Sequence, residues 1–158
     1  MESQNALKVR DITRVLEVWA PPVLQESYDN SGLLVGDLDA KVTKVLVSLD
    51  CTEDVVAEAV REGAEMIVSH HPIIFSGLKR LTGRNYVERT ILMAIKSGIA
   101  LYAIHTNLDN VDSGVNRELA TALGCVPETL KILRPKDGIL HHVTVYCPHK
   151  EAEYVRSA

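Results

Sequence analysis

Apolar positions along this chain switch between two periods. Val9, Ile12, Val15, Leu16 and Trp19 recur at helical spacing, and Pro21 with Pro22 stops that helix. The turn formers Asp29, Asn30, Ser31 and Gly32 then precede a short apolar run, Leu33 to Val35. Residues 45–49 (VLVSL) read as a buried strand. Thr52 is placed to cap the next helix, with Glu53 and Asp54 at its positive end, and Gly63 suits its C-terminal cap. Val55, Val56, Ala59 and Val60 give that helix its apolar face. Residues 66–68 (MIV) predict a second buried strand, and a polar connection follows to about residue 85. A helix carrying Val87, Ile91, Ala94 and Ile95 runs to Gly98, and residues 99–104 predict a third strand. A further helix carries Val115, Leu119, Ala122 and Leu123 and closes at Gly124. Strands alternating with helices, each strand short and apolar, predict an α/β fold: a mostly parallel sheet covered by helices on both faces.

The end of the chain has a different texture. Residues 139–147 (ILHHVTVYC) predict another strand, and a charged helical pattern begins at His149 and reaches Ala158 without a cap or glycine stop. Two readings stand: a chain truncated at the start of a further domain, or a frayed terminal helix. The domain expectation is an N-terminal α/β metal-binding lobe over 1–135 and the start of a linking or inserted domain, cut short, over 136–158.

Composition narrows the class. At 158 residues, 46% hydrophobic and 24% charged, the chain has ordinary globular proportions and enough length for one real core. No apolar run reaches the roughly 18–20 residues of a membrane span. A net charge of −4 argues against general nucleic-acid binding, which wants a basic face. Cys51, Cys125 and Cys147 are odd in number, widely spaced and without a CxxC, so they form neither a disulfide framework nor a zinc knuckle and read as packing residues. With no apolar core of a signal peptide near Met1, the expected location is cytoplasmic.

The candidate chemistry sits at strand ends. In an open parallel sheet, ligands gather beyond the carboxyl ends of the strands. The second strand exits as Ser69-His70-His71-Pro72 and the third as His105-Thr106-Asn107-Leu108-Asp109, while the first exits at Asp50. A lone histidine pair more often satisfies backbone than binds an ion. A third imidazole and a carboxylate at the neighbouring exit change that balance, because His70, His71, His105 and Asp109 suit zinc, iron, manganese or cobalt. Adjacent side chains diverge on an extended backbone, so His70 and His71 are expected to serve different ions, with Asp109 bridging them. Four ligands leave both coordination shells open, as a catalytic centre requires. Asp50 is a candidate supporting partner.

Other candidates carry less. His141 and His142 fall within a strand pattern and face opposite sides. His149 and Glu153 have an i, i+4 spacing able to bind metal, but with Lys150 and Glu151 between them a solvated charged face accounts for them better. Residues 75–84 (FSGLKRLTGR) place Lys79, Arg80 and Arg84 among glycines after the HHP. That segment is either a basic flap for an anionic substrate or a solvated loop.

Three segments together carry a family likeness: WAPPVLQESYDNSGLLVGD at 19–37, VLVSLDCTEDVVAEAVREGAEMIVSHHPIIFSGLKRLT at 45–82, and IHTNLDNVDSGVNRELATALG at 104–124. The chain resembles the Nif-three-like family of dinuclear metal-centre, GTP cyclohydrolase type 2-like proteins. The resemblance implies a centre of two divalent metal ions in an α/β fold and subunits assembled into a ring-shaped homohexamer. It maps the family's paired histidines onto His70 and His71, and its HTxxD ligands onto His105 and Asp109. The family draws a further His and Glu from a glycine-histidine motif near its C-terminus, and no such motif occurs here. His149 and Glu153 share the spacing without the surrounding motif, so those roles are not carried over to them.

The functional expectation is a metal-dependent hydrolase acting on a small anionic or nucleotide-like substrate. No separate general base stands out, so metal-bound water is expected to serve. GTP as substrate is implied by the resemblance alone. The alternative is a non-catalytic metal-binding scaffold, sensor or regulatory interaction protein.

Overall fold

A computed structural model describes residues 7–133 and 144–157. Helix α1 (Val9–Trp19) opens the fold and a 3-10 turn (Pro22–Leu24) ends at Gln25. Strands β1 (Gly32–Val35) and β2 (Val45–Ser48) follow, then α2 (Glu53–Glu62), β3 (Met66–Ser69), α3 (Tyr86–Lys96) and β4 (Ala100–Ala103). The short helix α4 (Thr106–Asp109) and α5 (Val115–Ala122) come next, and α6 (Ala152–Ser157) lies near the end.

The four strands form one sheet in the order β1-β4-β3-β2. β2, β3 and β4 are parallel, and β1 adds antiparallel to β4 with a register shift between Leu33 and Val35. The parallel sheet of the sequence reading is thus present with one antiparallel edge. β3 and β4 are central and buried at every position, which explains their continuous apolar runs. Successive residues alternate between two cores. Met66, Val68, Ala100 and Tyr102 pack with Val9 of α1 on one face. Ile67 and Leu101 pack with Val56 and Ala59 of α2 and Ala94 of α3 on the other. Burying each such aliphatic side chain contributes about 1.5–3 kcal/mol, so this central pair and its two helix layers dominate the core.

The local signals act as their chemistry dictates. The Thr52 hydroxyl accepts from the Val55 N–H at 3.3 Å, and Gly63 closes α2 in the left-handed region at φ 67°. The Asn85 side chain accepts from the Glu88 N–H at 2.8 Å and caps α3.

Three expectations need correction. The strand at 45–49 is not buried: β2 has a neighbour on one side only, and Val47 and Leu49 are 76% and 63% exposed. Val15 and Trp19 of α1, and Val115, Leu119 and Leu123 around α5, are exposed too, so the apolar pattern there exceeds what the described residues cover. Residues 144–148 carry no strand; the rest of the strand expected at 139–147, with His141 and His142, lies outside the described residues, as does the domain boundary expected at 135/136.

Candidate metal centre

Ser48 pairs with Ser69, and Ser69 with Ala103, so the three parallel strands end level. Their exits, Asp50, His70 with His71, and His105, therefore share one edge of the sheet.

Beyond Ser69 the chain bends rather than staying extended. The His70 and His71 N–H groups donate to the Ser48 and Leu49 carbonyls at 3.2 and 3.0 Å, and the Ser69 hydroxyl donates to the His71 carbonyl at 2.9 Å. The bend brings the two rings closer than an extended backbone would. The His70 and His71 ring centroids are 4.9 Å apart, and both rings meet His105 edge-on at 5.2 and 5.5 Å. One ring nitrogen from each of the three lies within 4.8 Å of the others.

Each ring is held by its Nδ1. His70 Nδ1 donates to the Ile104 carbonyl at 3.0 Å; a carbonyl only accepts, so Nδ1 carries a proton and the neutral ring ligates through Nε2. His71 Nδ1 meets Asp50 Oδ1 at 2.8 Å, and His105 Nδ1 meets Asp29 Oδ1 at 2.8 Å. Outer hydrogen bonds of this kind fix the tautomer and orientation of metal-ligating histidines. Asp109, at the end of α4, brings its Oδ1 to 3.8 Å from His70 Nε2. Metal–ligand bonds of about 2.0–2.2 Å allow two ligands of one ion to lie up to about 4.4 Å apart, so this pair can share an ion. The donor set of three imidazole nitrogens and a carboxylate, with its outer partners in place, fits a divalent metal.

The structure thus brings His70, His71 and His105 together, with Asp109 beside His70 and Asp50 behind His71. Glu153 is instead paired with Arg156 at 2.8 Å, and His149 lies in a 3-10 turn. Cys51 is buried among the α2 and α3 side chains, and burial pushes its thiol up to about 11, in keeping with a packing role.

Asp29 is the residue that sequence reasoning missed. Its signal was a turn former in YDNSG, and nothing in its spacing points to His105. Its side chain is 0% exposed. Burial by itself pushes its carboxyl up, but hydrogen bonds from the Thr106 side chain, His105, the Asn30 backbone and the Ser31 side chain outweigh that and hold it well below the usual carboxylate range.

The segment after the histidines is tied at both ends. Asn30 Nδ2 donates to the Ile74 carbonyl at 2.6 Å. The Glu88 carboxylate accepts from the Thr82 and Arg84 N–H groups at 2.7 and 3.2 Å. Phe75 lies edge-on to His105 at 6.3 Å, and Tyr28 lies 6.3 Å from Phe75. Together they form an aromatic wall beside the histidines.

The family model for Duf34/NIF3 (NGG1p interacting factor 3) matches residues 7–157. A Clostridium perfringens protein named "GTP cyclohydrolase 1 type 2 homolog" is 44% identical over 118 residues, covering 75% of this chain and 45% of that protein. Staphylococcus aureus protein SA1388 superposes with a TM-score of 0.74 at 43% identity, covering 77% of this chain and 35% of that one. A Bacillus cereus protein related to NIF3 gives 0.72 at 41% identity, covering 76% and 33%. The chain spans less than half the length of these relatives.

Proposed function

The chain belongs to the Duf34/NIF3 family, and from that premise we propose that His70, His71, His105 and Asp109 hold a centre of two divalent metal ions in a hydrolase resembling GTP cyclohydrolase type 2. The observation that carries the reading is the convergence of three imidazoles, each with Nδ1 engaged and Nε2 left to ligate. Divalent ions, when bound, supply Lewis acidity and bring the pKa of coordinated water toward about 7.

The chain's own residues do the rest. Ile104, Asp50 and Asp29 orient the three rings. Phe75 and Tyr28 give a nucleobase-sized ring an apolar surface to rest on. Among the described residues Lys79 and Arg80 have no carboxylate partner, and they offer charge to the phosphates of a small anionic, nucleotide-like substrate. The four ligands leave positions for water, substrate and residues outside this chain. In this reading residues up to about 135 are the metal-binding lobe, 136–158 begin a linking or inserted domain, and the protein works in the cytoplasm as a ring-shaped homohexamer. No described helix is long and apolar enough to cross a membrane.

The test is elemental analysis of protein purified without chelator, followed by turnover of GTP and a panel of nucleotides. About two ions per chain and turnover lost in His105→Ala support the hydrolase. Firm metal retention with no turnover across the panel favours the non-catalytic scaffold or sensor. Absence of metal even after reloading refutes both.

A further inference from the structure

Asp29 stands on the turn before β1, far in sequence from the histidines, yet its carboxylate grips the start of the segment that carries two proposed ligands, His105 and Asp109. Oδ1 takes the His105 Nδ1–H at 2.8 Å and the Asn30 N–H at 2.6 Å. Oδ2 takes the Thr106 N–H at 3.0 Å, the Ser31 hydroxyl at 2.9 Å and, closer still, the Thr106 hydroxyl. His105 is the residue before α4, and α4 ends at Asp109.

We propose that Asp29 is a positioning residue of the metal centre, a single carboxylate that sets the His105 ring and the helix bearing Asp109 as one unit. The proposal rests on the metal reading above and adds to it a residue acting through two ligands. The acceptor inventory argues for a carboxylate at this place. All five partners approach as donors, and only an ionised carboxylate offers two oxygens that accept without donating. An asparagine would keep one accepting oxygen and turn an NH2 toward either His105 Nδ1–H or Thr106 N–H, with two donors then facing each other.

The contrast with Asp50 sharpens the assignment. Both carboxylates meet a histidine Nδ1 at 2.8 Å. Asp50 and His71 are 58% and 47% exposed, whereas Asp29 and His105 are 0% and 16% exposed. Water can replace Asp50 as the partner of His71, but the buried Asp29 has no such substitute. The two carboxylates therefore contribute unequally to ligand placement.

The test uses zinc alone as probe, with affinity read by competition against a chromophoric chelator, and the His105 tautomer read from imidazole 15N shifts of metal-free protein. Asp29→Asn is expected to weaken zinc binding about 10–100-fold, the range for lost outer partners of metal ligands, and to mix the His105 tautomers. Asp50→Asn is expected to change zinc affinity less than Asp29→Asn does. Zinc affinity in Asp29→Asn within about twofold of wild type, with His105 still protonated at Nδ1, overturns the role of Asp29 while leaving the metal reading intact. Wild-type protein that takes up no zinc overturns the metal reading itself, and with it the use assigned to Asp29. Should Asp29→Asn fail to fold, wild-type 15N shifts decide: Nδ1–H at His105 supports the clamp, and Nε2–H refutes it.

Discussion

Gly114 lies in the loop between α4 and α5, and the structure leaves no room for a side chain on it. A Cβ there would lie 1.9 Å from the Leu108 carbonyl oxygen and 3.0 Å from both the Leu108 carbonyl carbon and the Val111 oxygen. An ordinary contact is about 3.4 Å or more, so Gly114→Ala must displace backbone by more than 1 Å. No flexible side chain can absorb the shift. Overpacking of this kind costs about 1–3 kcal/mol, and a backbone clash belongs at the upper end. The lower unfolded-state entropy of alanine recovers at most about 1 kcal/mol. A net loss of about 2 kcal/mol lowers the melting temperature by roughly 4–8 °C at this chain length. The displaced atom adjoins Asp109, whose Oδ1 lies 3.8 Å from His70 Nε2. Ligand constellations tolerate errors of about 0.5 Å, so zinc affinity is expected to fall along with stability. Thermal unfolding with and without zinc reads both. A melting temperature and zinc affinity equal to wild type would show that the loop yields freely and that Asp109 is not placed by it.

Three further outcomes follow from the same contacts. Asn107 is 0% exposed, donates to the Ala20 carbonyl at 2.7 Å and accepts from the His105 N–H at 2.9 Å. Asn107→Ala leaves both groups unpaired and is expected to cost about 2–4 kcal/mol by urea unfolding; a loss under about 1 kcal/mol contradicts the accounting. The backbone N–H groups of Thr82 and Arg84 and the Thr82 hydroxyl hold the Glu88 carboxyl below its ordinary value of 4.5. That stabilisation is complete above pH 4.5 and fades as pH falls through the lower native value, so protection of the Thr82 and Arg84 amides, corrected for intrinsic exchange, should drop in acid. Glu88→Gln should show weak protection at every pH, and a protection profile like wild type's counts against the anchor. Zinc at about 100 times its dissociation constant should stabilise the chain by about 2.7 kcal/mol, or roughly 5–11 °C. An equal rise in a His70→Ala, His105→Ala double variant would place the binding elsewhere.

The fold was legible wherever burial is symmetric. β3 and β4 are covered on both faces, so their apolar runs could mean little else, and Thr52 and Gly63 mark the ends of α2 by local hydrogen bonding alone. Legibility failed where a strand or helix meets a partner on one side only. β2 has the composition of a central strand, yet its position at the sheet edge follows from the order β1-β4-β3-β2, which no local pattern encodes. The antiparallel addition of β1 was hidden for the same reason: four residues, Gly32–Val35, carry no signal of direction. The exposed apolar positions of α1 and α5 show the converse, periodicity without cover among the described residues.

The candidate site divides along a similar line. His70, His71 and His105 were legible because they follow parallel strands, which in register deliver their exits to one edge, and Asp109 because it lies four residues beyond His105. The approach of the His70 and His71 rings was not legible, because strand geometry ends at Ser69, where bonds to Ser48, Leu49 and His71 turn the chain. Asp29 was illegible for a deeper reason. It reaches His105 through the antiparallel pairing of β1 with β4, a contact across 76 positions, and its composition signal was already spent on explaining a turn. Both readings of that residue hold at once: the turn that a short acidic side chain favours is also what delivers its carboxylate beneath the His105 ring. A ligand set can therefore be read from strand exits, whereas the groups that fix its protonation and orientation come from whichever element closes the sheet beside it.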